Sequence, residues 1–187
     1  MFTLFKTKRL SQGEKKTLLR LARETISAKL NNEDLQIPAI IEKRLNQRTG
    51  VFVTLLKKGK LRGCIGYMQT DKPLYQSVQE LAEAAAFHDP RFQPLKREEL
   101  PDIQIEMSVL SGFEKISNIK RIKTRHHGIL VRHGDYQGIL LPQVAEKYNW
   151  GRETFLQHAC VKANLPKEDW KNPETELFIF TAQIFEE

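Results

Sequence analysis

Leu18, Ala22, Ile26 and Leu30 recur at every fourth position, with lysines and arginines between them, which predicts one amphipathic helix running to about Asn31. Ser11-Gln12-Gly13-Glu14 marks its start: the serine can accept a backbone N–H while the glutamate reaches back, forming a capping box. Pro38 predicts a shorter helix over 39–47, ended by Gly50. Residues 51–56 are β-branched and aromatic, Lys58-Gly59 makes a turn, and 61–67 returns, so a hairpin is expected. Pro73 then opens a helix carrying Leu74, Val78, Leu81, Ala85 and Ala86, and Asp89-Pro90 stops it. Ile103, Ile105, Met107 and Val109 alternate with Gln104, Glu106 and Ser108, the period of a strand with one buried face, so Glu106 and Ser108 point the same way. A second hairpin, 128–132 with 136–141, turns at Gly134-Asp135, and Pro142 begins a short helix to Tyr148. A helix over 153–164, a loop between Pro166 and Pro173 holding Trp170, and a closing strand over 177–185 complete the chain. Hairpins separated by single helices predict an α+β fold, mainly antiparallel sheet flanked by helices, rather than a doubly wound parallel sheet.

Composition narrows the class. A chain of 187 residues suits one compact domain or two small, tightly packed lobes, and 40% apolar with 28% charged residues excludes disorder as the main state. No apolar run approaches the roughly 18 residues of a membrane helix, and the basic first ten residues lack an apolar stretch and a cleavage site, so a cytoplasmic protein without membrane contact is expected. Cys64 and Cys160 are too few for a disulfide framework and form no Cys-x-x-Cys pair; both are expected as reduced thiols. The formal charge of +7 is uneven, with residues 1–60 holding 14 basic against 5 acidic side chains and a second basic block over 111–150. Such a surface suits an anionic partner, nucleic acid or nucleotide, or else consists of solvated helix faces. No Gly-x-Gly-x-x-Gly and no P-loop occurs, and no cofactor is predicted.

The chemistry-bearing residues fall in three places. In Arg62-Gly63-Cys64-Ile65-Gly66 the glycines mark a bulge or a place where another backbone or a ligand comes close, and alternation puts Arg62, Cys64 and Gly66 on one face. A cation near Cys64 would favour a nucleophilic thiolate; a small cysteine packed in a tight core position is the competing reading. Asp89 and Arg91 either bind an anion or tie their loop to the sheet, and Glu106 beside Ser108 supplies a candidate general base on a sheet face. His126, His127 and His133 lie near the second hairpin and His158 two residues before Cys160, with no zinc-type spacing among them, so no metal site is predicted. Lys120, Arg121, Lys123 and Arg125 are placed to meet phosphates, whereas the aromatic residues fall mostly on core faces and form no evident exposed row for stacking bases.

Leu61-Arg62-Gly63-Cys64-Ile65-Gly66 resembles the signature of the AMMECR family. Similar blocks follow in order: Gly50-Val51-Phe52-Val53-Thr54-Leu55, Ala85-Ala86-Phe87 with Asp89-Pro90-Arg91-Phe92, Ile105-Glu106-Met107-Ser108-Val109-Leu110, His127-Gly128-Ile129, Leu141-Pro142-Gln143-Val144-Ala145 and Lys162-Ala163. The resemblance covers about residues 11–185 and departs at Arg125, where the family pattern has glycine. It implies a single domain, 1–187, of two closely packed lobes with a cleft between them, the second hairpin (about 111–150) belonging to the smaller lobe. It also implies likeness to component A of the AmmeMemoRadiSam set, with Memo-type and radical SAM proteins as partners, and a role in modifying RNA or another macromolecule. The chain has no Cys-x-x-x-Cys-x-x-Cys and so cannot itself supply radical SAM chemistry. Three functions are carried forward. The first is binding of an anionic ligand or RNA through Arg62, Gly63, Gly66, Asp89, Arg91 and Ser108. The second is an enzyme with Cys64 as nucleophile and Glu106 or His127 as base, and the third is a non-catalytic interaction subunit.

Overall fold

The structure, a computed structural model, describes residues 9–33 and 43–187. It forms two compact units: one comprises the described residues up to Leu110 together with Gln183–Glu187, the other Ser111–Ala182. No described helix is long and apolar enough to cross a membrane.

The first unit holds a four-stranded sheet in the order β2-β1-β3-β8, formed by Lys60–Tyr67, Val51–Lys57, Ile103–Leu110 and Ala182–Glu186. β1 is central and antiparallel to both β2 and β3. Helix α1 (Gln12–Asn31) begins with the capping box, the Glu14 N–H donating to Ser11 Oγ at 3.3 Å and the Ser11 N–H to Glu14 Oε2 at 2.6 Å. It ends at Asn32, whose left-handed conformation (φ 56°) lets its N–H reach back to the last carbonyls. Helix α2 (Leu74–Phe87) starts after Pro73 and buries Leu74, Val78, Leu81, Ala82, Ala85 and Ala86. Both helices pack on the sheet face formed by Val51, Val53, Leu55, Ile105, Met107 and Val109, a core from which water is excluded. The helix expected over 39–47 falls partly outside the described residues; within them, Lys43–Asn46 is a 3-10 turn. Residues 97–102, which carry no apolar period, form another 3-10 turn leading into β3.

The second unit has its own antiparallel sheet, ordered β4-β7-β5-β6: Glu114–Ile116, Glu176–Phe180, Gly128–His133 and Tyr136–Leu140. Helices α3 (Pro142–Lys147) and α4 (Arg152–Lys162) accompany it, and α4 buries Phe155, Leu156, Ala159 and Cys160 against Ile129, Val131, Leu177 and Ile179. The single closing strand expected over 177–185 is in fact two, β7 and β8, interrupted at Thr181 and belonging to different sheets. Apolar residues stand on both sides of the break, Leu177 to Phe180 before it and Ile184 and Phe185 after it, so the pattern alone conceals it. β4 is three residues long, too short for a period to register.

Candidate functional site

β2 is an edge strand, and its register brings four predicted residues onto one sheet face. Cys64 lies opposite Thr54 in β1, and Thr54 opposite Glu106 in β3; the next row is Gly66, Phe52 and Ser108. Side chains alternate along strands, so these six share the face turned away from the α1–α2 core. A bulge creates this arrangement. The pairing runs Lys57–Lys60 and Leu56–Leu61 from the turn, then shifts by one to Leu55–Gly63 and Thr54–Cys64, leaving Arg62 as the extra residue.

Cys64 is half-buried and held from three directions. Thr54 Oγ1 donates to its sulfur at 3.2 Å, its N–H donates to Asp89 Oδ2 at 2.8 Å, and its carbonyl accepts from Arg91 Nη2 at 3.0 Å. Asp89 and Arg91 thus do for the outer edge of β2 what a neighbouring strand would do, satisfying one donor and one acceptor. The pair is itself locked: Arg91 Nε and Nη2 meet Asp89 Oδ1 and Oδ2 at 2.9 and 2.7 Å, and the Arg91 N–H adds 3.1 Å to Oδ1. The Asp89 side chain is 1% exposed. Arg91 holds its carboxyl well below the usual carboxylate range, overcoming the opposite effect of burial, with the Cys64 and Arg91 N–H groups assisting. The Arg91 guanidinium is raised in turn, chiefly by Asp89 and to a smaller extent by the Cys64 thiol that faces it.

Arg62 leaves the row at the bulge. Its Nε and Nη2 grip Glu99 Oε1 and Oε2 at 3.1 and 2.9 Å, and Nη2 also reaches the Gln93 carbonyl at 3.0 Å. Lys57 adds a 2.9 Å contact to Glu99. The bidentate Arg62 fork, with Lys57 second, brings the Glu99 carboxyl down to about 2 against the opposing effect of burial. Phe92 lies beneath both guanidinium groups, 5.9 Å from Arg62 and 5.5 Å from Arg91.

The two glycines have separate uses. A Cβ at Gly63 would sit 2.1 Å from the Ala85 carbonyl oxygen, so this residue lets α2 approach β2. A Cβ at Gly66 would meet the Phe52 ring at 2.1 Å, so that ring lies over the strand beside Ser108. Ser108 is fully buried. Glu106 is half-buried and separated from Cys64 by the whole of β1, about 9.6 Å between backbones at ordinary strand spacing.

His127 stands in the second unit, where its Nδ1 accepts the Lys123 N–H at 3.2 Å. Burial first, then the neighbouring His126 and Lys123, push its pKa down, favouring neutral imidazole. His133 Nδ1 contacts Asp169 and Thr175 at 2.9 and 3.0 Å, and His158 stacks on Trp150. Among the described residues no three His, Cys, Asp or Glu side chains converge as metal ligands. Cys160 is fully buried, and burial pushes its thiol up to about 11.

Sequence reasoning missed Thr54, Glu99 and Phe92. Counting back from the two-residue turn without a bulge pairs Thr54 with Gly63 and turns Cys64 toward the core, so no local signal revealed the Thr54 contact.

The AMMECR1 family model matches residues 19–185. A protein of Methanothermobacter thermautotrophicus is 44% identical over 185 residues, covering 95% of this chain and 96% of its own length. One from Nanoarchaeum equitans is 40% identical over 177 residues, covering 91% and 98%. The crystal structure of an uncharacterized protein from Pyrococcus horikoshii superposes with a TM-score of 0.86 at 38% identity, covering 91% of this chain and 90% of that one. An α+β chain carrying Leu61-Arg62-Gly63-Cys64-Ile65-Gly66 at a bulged sheet edge, and matched over nearly its whole length, belongs to the AMMECR1 family.

Proposed function

We propose that the site around Cys64 performs nucleophilic-thiol chemistry on a substrate that carries negative charge near its electrophilic centre. The observation that carries this is the fixation of Cys64: both backbone polar groups are clamped by the Asp89–Arg91 pair, while the sulfur takes a hydroxyl donor from Thr54 and faces a guanidinium. A nucleophile held in this way loses little freedom on reaching its attack geometry. The Arg91 side chain is 54% exposed, so part of it remains available to an anionic group beside the thiol. Arg62, by contrast, is largely buried on Glu99, with 13% of its side chain exposed. A proton leaving the sulfur has the Thr54 hydroxyl as a close protein neighbour, a group whose donor and acceptor roles interchange by rotation, with Glu106 beyond it on the same row.

Native full-length protein treated with iodoacetamide at pH 7.5, and read by mass spectrometry residue by residue, tests the reading. Cys64 is expected to label at least tenfold faster than Cys160, whose buried thiol serves as the internal control. Thr54→Val, which keeps the side-chain shape and removes the hydroxyl, is expected to slow labelling of Cys64 severalfold while leaving the unfolding midpoint nearly unchanged. Equal labelling of the two cysteines, or an unchanged Cys64 rate in Thr54→Val, would refute the proposal and leave the motif with a packing role.

A further inference from the structure

We propose that the second unit binds single-stranded nucleic acid on a surface made from residues 120–125 and the aromatic stack of Tyr148, Trp150 and His158. The inference is independent of the chemistry at Cys64, which lies in the other unit.

The stack is the first observation. Tyr148 is 57% exposed, yet its ring is ordered against Trp150, centroids 4.9 Å apart and planes 20° from parallel. Trp150 in turn lies flat against His158 at 3.8 Å and 3°. Trp150 packs against the second core and its backbone N–H donates to the Ala145 carbonyl at 2.9 Å, so the arrangement is anchored rather than collapsed by chance. An aromatic face presented to solvent from a rigid support is what an unstacked base needs, because every base has a π face to offer. The sequence pattern hid this: Tyr148, Trp150 and His158 follow no helical or strand period, and they meet only because the loop between α3 and α4 folds back over α4.

The second observation is charge beside the rings. Residues 120–125 and 147–153 together hold six basic side chains and one acidic one, Glu153. The two segments are fastened to each other: Arg125 Nη2 donates to Asn149 Oδ1 at 2.5 Å, and Arg152 Nε donates to the Ile122 carbonyl at 3.1 Å. Lys147 Nζ lies 5.7 Å from the centre of the Tyr148 ring, an exposed cation on a flexible stem that a stacking base would displace toward its own phosphate. Arg121 is matched by Glu114 at 2.6 Å, but Lys120, Lys123, Arg125 and Lys147 are exposed on these two fastened segments. Cations that follow a backbone, next to rings that take its bases, form the two halves of a single-strand site. A duplex keeps its bases stacked on each other and uses only the cations. An acidic peptide meets the cations and leaves Tyr148 without a flat partner.

Fluorescence anisotropy of the full chain with labelled twelve-nucleotide oligouridylate, the matching oligodeoxythymidylate, a twelve-base-pair duplex and a polyglutamate peptide tests this. Both single strands are expected to bind, with RNA favoured over DNA only if the 2′-hydroxyl is also read. With about four phosphates neutralised, affinity is expected to fall about fifty-fold between 50 and 200 mM salt. Tyr148→Ala, at an exposed position that leaves the core untouched, is expected to weaken single-strand binding about tenfold without moving the unfolding midpoint. The pair Lys120→Ala with Lys123→Ala is expected to flatten the salt dependence. No binding at 50 mM salt, equal affinity for duplex and single strand together with indifference to Tyr148→Ala, or preference for polyglutamate would each overturn the proposal.

Discussion

Gly63→Ala isolates the approach of α2 to β2 in the first unit. The added methyl would lie 2.1 Å from the Ala85 carbonyl oxygen and 3.1 Å from its carbon, where ordinary contact begins at 3.4 Å. The obstacle is helix backbone, not the end of a side chain, so α2 and β2 must part by more than an ångström. α2 carries Leu74, Val78, Leu81, Ala82, Ala85 and Ala86 into the core, and even a gap of about 0.5–1 Å forfeits a quarter to a half of the contact energy along the opened seam. Overpacking of a tight core costs about 1–3 kcal/mol, and an immovable neighbour puts this site at about 3. That is a large part of a typical total stability and corresponds to a fall of about 10 °C in Tm for a chain of this size. Gly13→Ala makes the same chemical change in α1, where the Ser11 hydroxyl at 4.0 Å leaves room for a methyl. It is expected to raise stability by about 0.5–1 kcal/mol through helix propensity. Urea titrations followed by far-UV circular dichroism give both values. A Gly63→Ala midpoint within about 1 kcal/mol of the parent protein would refute the argument that the helix approach dictates this glycine.

Acid should reveal the Arg62–Glu99 link. With Glu99 brought down to about 2 from an ordinary 4.5, its contribution is fully present above about pH 4.5 and is lost as the pH falls toward 2; the difference amounts to about 3 kcal/mol. Glu99→Gln is therefore expected to lower stability at pH 6 and to narrow the gap between urea midpoints at pH 6 and pH 3; an unchanged gap would contradict it. Arg125 has φ +70°, a left-handed conformation that glycine adopts without strain. Arg125→Ala and Arg125→Gly both lose the Asn149 contact, so the glycine variant should be the more stable by about 1 kcal/mol, read from paired thermal melts.

Much of the first unit is written in local chemistry. The Ser11–Glu14 box, the proline and the small-residue stripe of α2, and the alternation of β3 each act through neighbours a few positions away, and each formed where its residues predicted. Asp89 and Arg91 also declared themselves by type, a carboxylate and a planar fork in a loop, although what they bind, the two backbone groups of Cys64, is 25 and 27 positions distant. The family, too, was legible, because a hexapeptide and seven ordered blocks survive in the linear chain.

Tertiary structure decided which way Cys64 points. Side chains alternate with a period of two, so a single inserted residue exchanges the faces of everything beyond it. The bulge at Arg62 makes that exchange, turning Gly63 toward α2 and Cys64 toward Thr54 and Glu106. The glycines mark a bulge or a close approach without telling which residue is the extra one, because the bulge is stabilised from outside the hairpin, by Glu99 and Gln93 holding Arg62 and by Asp89 and Arg91 capping the strand edge. The same holds for the Tyr148–Trp150–His158 stack and for the break at Thr181 that sends β7 and β8 to different sheets. Residue type and spacing determined the elements and the inventory of chemical groups; long-range contacts, which no local period encodes, determined which of those groups meet.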